Sequence, residues 1–567
     1  MISYSTFKKL KLVVSRKEKF LILISFILMF IGTFLELLGI SMVIPIISSA
    51  VNSSQINSET SQLISSIKSI FYDFSIKNLL IIFFVTFLTK NIYLLFCTKF
   101  NLNLSVKIRN RLVSNIYSKY LSQQLNYFSN KHSSEMIRNI IAIQDIGLLI
   151  SNYLNLLLEL LVFFGLFIFL FLVNTKYTII IFLFFLILVI LINKFTKKKL
   201  IKFGNLRQFY EKNINKFIIE SLYNIKLIKI RNQENFFVKK FSQLDFSQAK
   251  LQKNVDYIFQ FPKVVVEIFS LGFICSIILF NSSSDKFIDF NTLSYLAILV
   301  AILIRLMPSS TRIASSIQRI RVFEPRIDLV FTEYSLPFNL KEEKIKNIIN
   351  FEKLEMKDVF FGFTPKKIIL KNINLIIKKN TLNCFAGTNG SGKTTILNLI
   401  LGLLTSNKGE ILYNDCNIKE CSPKISYVEQ KIHLIDNSIR ENIVFGSFAK
   451  KFNKYLYKKS LIYSGLNDFV LSLPSKDKTL VGENGSKLSG GQIQKIGIAR
   501  AIYSNSDIIV LDEFDNNLDK KSKINILKYL QILKKKHTII VISHTLNNIK
   551  FFDNFFLIKN LTLKKIK

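Results

Sequence analysis

From Phe20 to Ile47 the chain carries an apolar run of spanning length. A helix rises about 1.5 Å per residue and bilayer hydrocarbon is about 30 Å thick, so this run reaches from one side to the other. Further apolar stretches follow at about 79–98, 153–173, 177–193, 264–280 and 291–307, which makes six expected spans. The residues before the first run are basic (KKLK, then SRKEK), and no short apolar core with a small-residue cleavage site is seen. The run is therefore expected to be an uncleaved first transmembrane helix and not a signal peptide.

Orientation follows from where the cations stand. Sixteen Lys and Arg lie between Lys194 and Lys263 and seven between Lys99 and Arg138, whereas the connections 52–78 and 281–290 carry only Lys68, Lys77 and Lys286. Basic loops stay on the cytoplasmic side, so both long loops and both termini are expected there. Their helical patterning implies that spans 2 to 5 continue as long helices into the cytoplasm. The connection 52–78 is long and amphipathic (SSQLISSIKSIFYDF), which predicts an external helix.

The net charge of +39 invites a nucleic-acid reading. No basic motif interleaved with aromatics and no zinc pattern accompanies it, and cytoplasmic loops account for cations equally well, so no nucleic-acid partner is expected. Five cysteines (Cys97, Cys275, Cys384, Cys416, Cys421) form no C-x-x-C pair, so no structural disulfide or zinc site is expected. With 19 Gly, 8 Pro and half of the residues hydrophobic, disorder and collagen-like repeats are excluded.

From about residue 345 short Ile/Leu/Val runs alternate with helical patterns, as in an α/β domain. The expected organisation is an all-α six-helix transmembrane domain (1–325), a linker (326–344) and an α/β nucleotide-binding domain (345–567). Gly387-Thr388-Asn389-Gly390-Ser391-Gly392-Lys393-Thr394 fits G-x-x-x-x-G-K-[ST], after a strand-like TLNCFA and before a helix-like TILNLILGLL. Glycines let backbone N–H groups wrap phosphates, Lys393 reaches the β/γ oxygens, and Thr394, followed by Thr395, offers its hydroxyl to Mg²⁺. Ile508-Ile509-Val510-Leu511-Asp512-Glu513 reads as a buried strand ending in two acids, Asp512 for Mg²⁺ and Glu513 to polarise the attacking water. ATP and Mg²⁺ are the cofactors this pattern asks for.

Between these motifs stands Leu488-Ser489-Gly490-Gly491-Gln492, which resembles the signature of the ABC ATPases. Other elements of that family occur in order. Gln430 in YVEQ resembles the Q-loop glutamine that contacts Mg²⁺, Asp519 ends a D-loop, and His544 in VISHT resembles the switch histidine at the γ-phosphate. Thr479-Leu480-Val481-Gly482-Glu483-Asn484-Gly485 is similar to the TxVGExG stretch of ABC exporters, and Phe363 stands where the family stacks an aromatic on adenine. The resemblance implies an ATP hydrolase. In the D-loop, Phe514-Asp515-Asn516-Asn517-Leu518-Asp519 departs from the common ATSALD. One P-loop and one signature per chain imply a half-transporter, expected to be a homodimer with a heterodimer as alternative. Tyr127–Lys131 and Ile225–Lys229 resemble the coupling helices of the family and equally fit ordinary amphipathic loop helices.

The stretches FLELLGISMVIP (34–45) and RLMPSSTRI (305–313), with the long external connection, resemble the PglK-type ABC flippases for lipid-linked oligosaccharides of bacterial N-glycosylation. That resemblance implies ATP-driven translocation of a polyprenyl-pyrophosphate oligosaccharide across the bacterial inner membrane, with the nucleotide-binding domain cytoplasmic. An exporter of lipid A-like lipids, peptides or drugs has the same layout. Intramembrane charges usually face a cavity or a partner. Lys90, Lys263 and Arg305 could form a basic belt around the lipid phosphates. The alternative is that both lysines snorkel while Arg305 pairs with Glu36.

Overall fold

The computed structural model describes residues 8–9, 12–42, 46, 74–131, 133–173, 175–282, 290–338, 346–347, 350–364, 367–418, 420–446, 452–515, 517–543 and 549–567. The expected external helix up to residue 73 and His544 lie outside the described residues, and Arg305 is described by its backbone alone. The chain divides into two compact units, Met1–Gln123 with Phe128–Phe338 and Gln124–Tyr127 with Asn339–Lys567.

Among its described residues the first unit is built of helices: α1 (Arg16–Ser41), α2 (Ile76–Leu121), α3 (Leu125–Asn130), α4 (Ser133–Val173), α5 (Thr175–Tyr223), α6 (Ile225–Ile230), α7 (Glu234–Ser282) and α8 (Phe290–Tyr334). Among the described residues, Arg16–Ser41, Ile76–Leu121, Ser134–Leu172 and Thr178–Tyr223 are long and apolar enough to cross a membrane. The expected spans 5 and 6 fall within α7 and α8. Helix α1 starts where a capping box permits: Glu18 accepts from the Ser15 amide at 2.8 Å, and the Ser15 hydroxyl accepts from the Glu18 amide. Arg111 of α2 then clamps the same carboxylate at 2.7 Å through two nitrogens.

Packing between α1 and α2 uses small and polar residues. Ser25 donates to Asn101 at 2.5 Å, and a Cβ at Gly32 would lie 3.3 Å from Leu94. Phe20, Leu23, Phe26 and Phe30 of α1 are exposed, and Ser25, Thr33 and Glu36 are buried. This inverts the soluble pattern, because hydrocarbon gives apolar side chains no reason to turn inward. Gly204 on α5 lets α8 approach closely, since a Cβ there would sit 2.4 Å from the Val322 carbonyl. The expected end of the membrane domain at residue 325 is corrected: α8 continues to Tyr334 and the first unit to Phe338, because Arg326 bonds Glu211 of α5 and Glu333 accepts from Tyr120 of α2 and Asn139 of α4. Only residues 339–345 remain between that unit and the first strand.

The second unit holds a six-stranded sheet in the order β12-β11-β4-β10-β9-β8, with β4 (Leu382–Gly387), β8 (Ile425–Val428), β9 (Ile508–Asp512), β10 (Thr538–Ser543) and β11 (Asn554–Lys559) parallel and β12 (Thr562–Lys565) antiparallel. A four-stranded antiparallel sheet has the order β3-β2-β5-β6, from β2 (Lys353–Thr364), β3 (Lys367–Lys378), β5 (Lys408–Tyr413) and β6 (Cys416–Asn417). Two short strands, β1 (Lys346–Asn347) and β7 (Cys421–Ser422), pair in parallel. Helices α9 (Lys393–Ile400), α10 (Ile439–Ile443), α11 (Lys454–Tyr463), α12 (Asn467–Ser472), α13 (Gly490–Tyr503) and α14 (Lys520–Leu533) complete the unit. Strands β9 and β10 are buried at every residue, which explains their unbroken Ile/Val runs. The expectation of no structural disulfide is corrected too. Cys416 and Cys421 are joined, with Cα atoms 6.0 Å apart, because the turn from β6 into β7 returns the chain onto itself.

Candidate functional site

A parallel sheet presents its chemistry at the carboxyl ends of its strands. Here the ends of β4, β10 and β9 lie side by side, so Gly387, Ser543 and Asp512 share one edge. The loop Gly387–Gly392 leaves β4 and enters α9 at Lys393. Gly390 and Gly392 have φ of +77° and +99°, and a Cβ on Gly387 would lie 2.6 Å from the Ser391 hydroxyl. The loop therefore needs glycine at these points. Ser391 Oγ is buried without a hydrogen-bond partner among the described residues. Lys393 Nζ turns onto the Gly387 and Thr388 carbonyls at 2.8 and 3.0 Å, a lysine folded over an anion-sized cradle. Burial holds its ammonium below the ordinary lysine value, and the nearby Glu513 and Asp512 act in the opposite direction. An unpaired buried hydroxyl and a lysine at a positive helix end fit a nucleotide phosphate. Asn389 lies in the loop, and Thr394 and Thr395 lie in the first turn of α9.

Asp512 ends β9 and Glu513 follows with φ of +47°, a conformation uncommon for a non-glycine residue. Both carboxyls are buried. Gln430, just past β8, donates to Glu513 Oε2 at 2.5 Å, and Tyr427 on β8 donates its hydroxyl to Asp512 Oδ2 at 3.1 Å. Burial, then the Asp512 charge, pushes the Tyr427 phenol up, so it stays a donor at any physiological pH. Sequence reasoning missed Tyr427. The register Tyr427↔Val510 puts it beside the residue two before Asp512, a neighbour defined only by strand order. Phe363, at the end of β2, is exposed and meets Phe361 edge-on at 5.2 Å, which leaves its face open.

The signature forms a second site. Ser489 caps α13, and Gln492 accepts from the Ser489 amide at 2.8 Å, so S-x-x-Q works locally as a capping box. Gly490 and Gly491 follow Leu488 and Ser489 into the first turn of α13. With Asn517 and Asp519 they line a cleft of about 590 Å³ to which no P-loop residue contributes. Asp519 caps α14 by accepting from Ser522 at 3.0 Å, which holds its carboxyl below the usual range. The Asn517 side chain lies beside Gly490, where a Cβ would be 3.5 Å away.

In the first unit the anticipated cations separate. Lys90 is buried, with Nζ 3.6 Å from Glu36, so neither a free belt position nor snorkelling describes it. The Arg305 side chain, and with it the expected Arg305–Glu36 alternative, lies outside the described residues. Lys263 is exposed. A second intramembrane pair was not anticipated: Arg312 of α8 donates to the buried Glu159 of α4 at 2.5 Å, and Ser309 donates to the same carboxyl at 2.8 Å. An acid in a long apolar run (LLLELL) was the available signal.

Comparison with known proteins places these features. The family model described as "ABC transporter transmembrane region" matches residues 22–307, and the one described as "ABC transporter" matches 370–516. The Multidrug resistance-like ATP-binding protein MdlA of Buchnera aphidicola subsp. Baizongia pistaciae is 29% identical over 408 residues, covering 70% of this chain and 69% of the relative. The ATP-dependent lipid A-core flippase of Wigglesworthia glossinidia brevipalpis is 31% identical over 295 residues, covering 50% of this chain and 50% of that one. In fold, a bacterial Atm1-family ABC exporter solved with ATP bound superposes at a TM-score of 0.76 and 16% identity, over 96% of this chain and 94% of that chain.

Proposed function

This chain belongs to the ABC transporter family, with an ATPase coupled to transport, and we propose that it is an ATP-driven flippase of a sugar-headed lipid that carries phosphate. The observation that carries the proposal is the likeness to a protein named as an ATP-dependent lipid A-core flippase. The sequence motifs favour a polyprenyl-pyrophosphate oligosaccharide as the lipid, and lipid A-like molecules are the second reading, favoured by the relative's name. Lys263 and Arg305 are the cations proposed to meet the phosphate. Lys90 is withdrawn from that set because Glu36 already neutralises it. The proposed setting is the bacterial inner membrane, with the ATPase unit on the cytoplasmic side.

Each residue has a proposed role in hydrolysis. Backbone amides of Gly387–Gly392, with Ser391 and Lys393, hold the β/γ-phosphates, and Phe363 stacks on adenine. Thr394, Asp512 and Gln430 are the proposed Mg²⁺ ligands, the ion neutralising charge on the phosphoryl oxygens. Glu513 orients and polarises the attacking water, its carboxylate steered by Gln430, and His544 is proposed for the γ-phosphate. The signature cleft has no P-loop residue of its own, so Ser489, Gly490 and Gly491 would contact the nucleotide of a second copy. A homodimer with two sandwiched ATP molecules follows.

The test is ATPase activity of the purified protein in lipid, with a polyprenyl-pyrophosphate oligosaccharide, with lipid A, or with neither, beside Glu513→Gln. Stimulation by the oligosaccharide, lost in the variant, is the expected result. Stimulation by lipid A alone moves the substrate to the second reading. Activity indifferent to both overturns the flippase proposal.

A further inference from the structure

Outside the ATP site and the intramembrane charge pairs, one cleft in the first unit has no role in the proposed cycle. It lies between α5 and α7, encloses about 320 Å³ and is lined by apolar side chains alone. Ile187, Leu191 and Phe195 of α5 face Phe261, Val265 and Phe269 of α7 across it. All of these but Val265 are exposed. Phe184 of α5 and Phe273 of α7, stacked at 4.6 Å, join the two helices near one end of the cleft.

The residues that continue its two walls decide what fits. On α5, steps of three and four from Phe195 reach Lys198 and Lys199, and a further step reaches Lys202. On α7, steps of four back from Phe261 reach Tyr257 and then Lys253. All five side chains are exposed. At about 1.5 Å per residue, Lys199 stands about 6 Å beyond Phe195 and Lys253 about 12 Å beyond Phe261. The same two faces therefore pass from wholly apolar, through a tyrosine, to cationic within one headgroup's depth. Aromatic and basic side chains at that depth are what a membrane interface selects. A neutral lipid needs no such lysines, and a soluble anion needs no such cleft.

We propose that this cleft binds an anionic phospholipid of the leaflet on the lysine side, one acyl chain between α5 and α7 and the phosphate among Lys198, Lys199, Lys202 and Lys253. The site is independent of which substrate the transporter moves. A bound lipid would brace α5 against α7, helices that meet again at Leu200, Leu251 and Val255 beyond the cleft.

The experiment uses the full chain in zwitterionic nanodiscs doped with photoactivatable phosphatidylglycerol or with phosphatidylcholine bearing the same acyl chain. Labelled peptides are mapped after irradiation. Phosphatidylglycerol is expected to label 187–199 and 257–269 in preference to phosphatidylcholine, by about fivefold for each lysine engaged. Lys198→Gln, Lys199→Gln and Lys202→Gln together should abolish the preference, and Leu191→Trp should reduce labelling by both probes. Equal labelling by the two lipids would reduce the cleft to ordinary lipid contact and overturn the proposal. So would a dimer-sized product from a photo-crosslinking residue placed at Leu191, which would make the cleft a contact between two copies.

Discussion

Helix α1 buries Ser25, Gly32, Thr33, Glu36 and Gly39 and exposes Phe20, Leu23, Phe26 and Phe30, whereas β9 buries every residue from Ile508 to Asp512 and puts its acids at the strand end. The contrast comes from the medium each unit is built for. In water, apolar burial drives assembly, so polar groups go to loops, where their placement serves chemistry. In hydrocarbon that drive is absent, and small residues and polar pairs hold helices together. A buried charge therefore means different things in the two units. Glu36–Lys90 and Asp145–Arg326–Glu211 join helices, while the buried Asp512 and Glu513 stand at the end of β9, where the nucleotide is proposed to bind.

Substitutions can break or sharpen that contrast. The largest effect is expected from Glu513→Gln, which keeps the shape of the site and removes the group proposed to polarise water. ATP turnover in lipid should fall by about 10²–10⁴-fold with nucleotide binding retained. A smaller loss than tenfold would take the general-base role from Glu513. Next comes Arg326→Met. It leaves Asp145 and Glu211 facing a buried position without their shared cation, and should cost about 3–5 kcal/mol by thermal or chemical unfolding in detergent. If stability were unchanged, the ion cluster would not be what ties α8 to α4 and α5.

Lys90→Met alone should destabilise the first unit by removing the cation that stands 3.6 Å from the buried Glu36. Lys90→Met with Glu36→Leu should recover most of the loss, with a coupling of about 0.5–3 kcal/mol in a double-mutant cycle. Additive losses would show that the two residues do not act as a pair. The smallest effect belongs to His537, buried against β10 with Nδ1 on the Ser506 carbonyl at 2.6 Å. Burial lowers its pKa, the Ser506 contact working against that shift. The folded state then binds fewer protons than the unfolded one. Stability is complete above the unfolded value near 6.5 and falls as pH drops toward the folded value. His537→Phe should flatten that acid-side slope in unfolding measured between about pH 5 and 7. An identical slope in the variant would mean that other groups set it.

Much of this was legible because local sequence carries it. Six apolar runs make six long helices, since length and hydropathy alone decide whether a segment can span. Gly387–Thr394 makes a tight strand-to-helix loop because Gly390 and Gly392 take φ values that favour glycine, and S-x-x-Q at Ser489 caps a helix wherever it stands. Other features had no local mark. Tyr427 meets Asp512 because β8 and β9 are neighbours, although the two stand 85 positions apart along the chain. Lys90 reads as a cation free to bind phosphate until α1 and α2 pack and bring Glu36 to 3.6 Å. The cysteine count argued against a disulfide, and the turn after β6 made one. The boundary expected at 325 falls on a proline, yet α8 runs through Pro325 to Tyr334. Composition and spacing determine which elements form and which carry phosphate chemistry, because those are properties of a few consecutive residues. Which charges neutralise each other, and which are left for a ligand, was decided only in three dimensions, because an ion pair depends on distance through space and not on position along the chain.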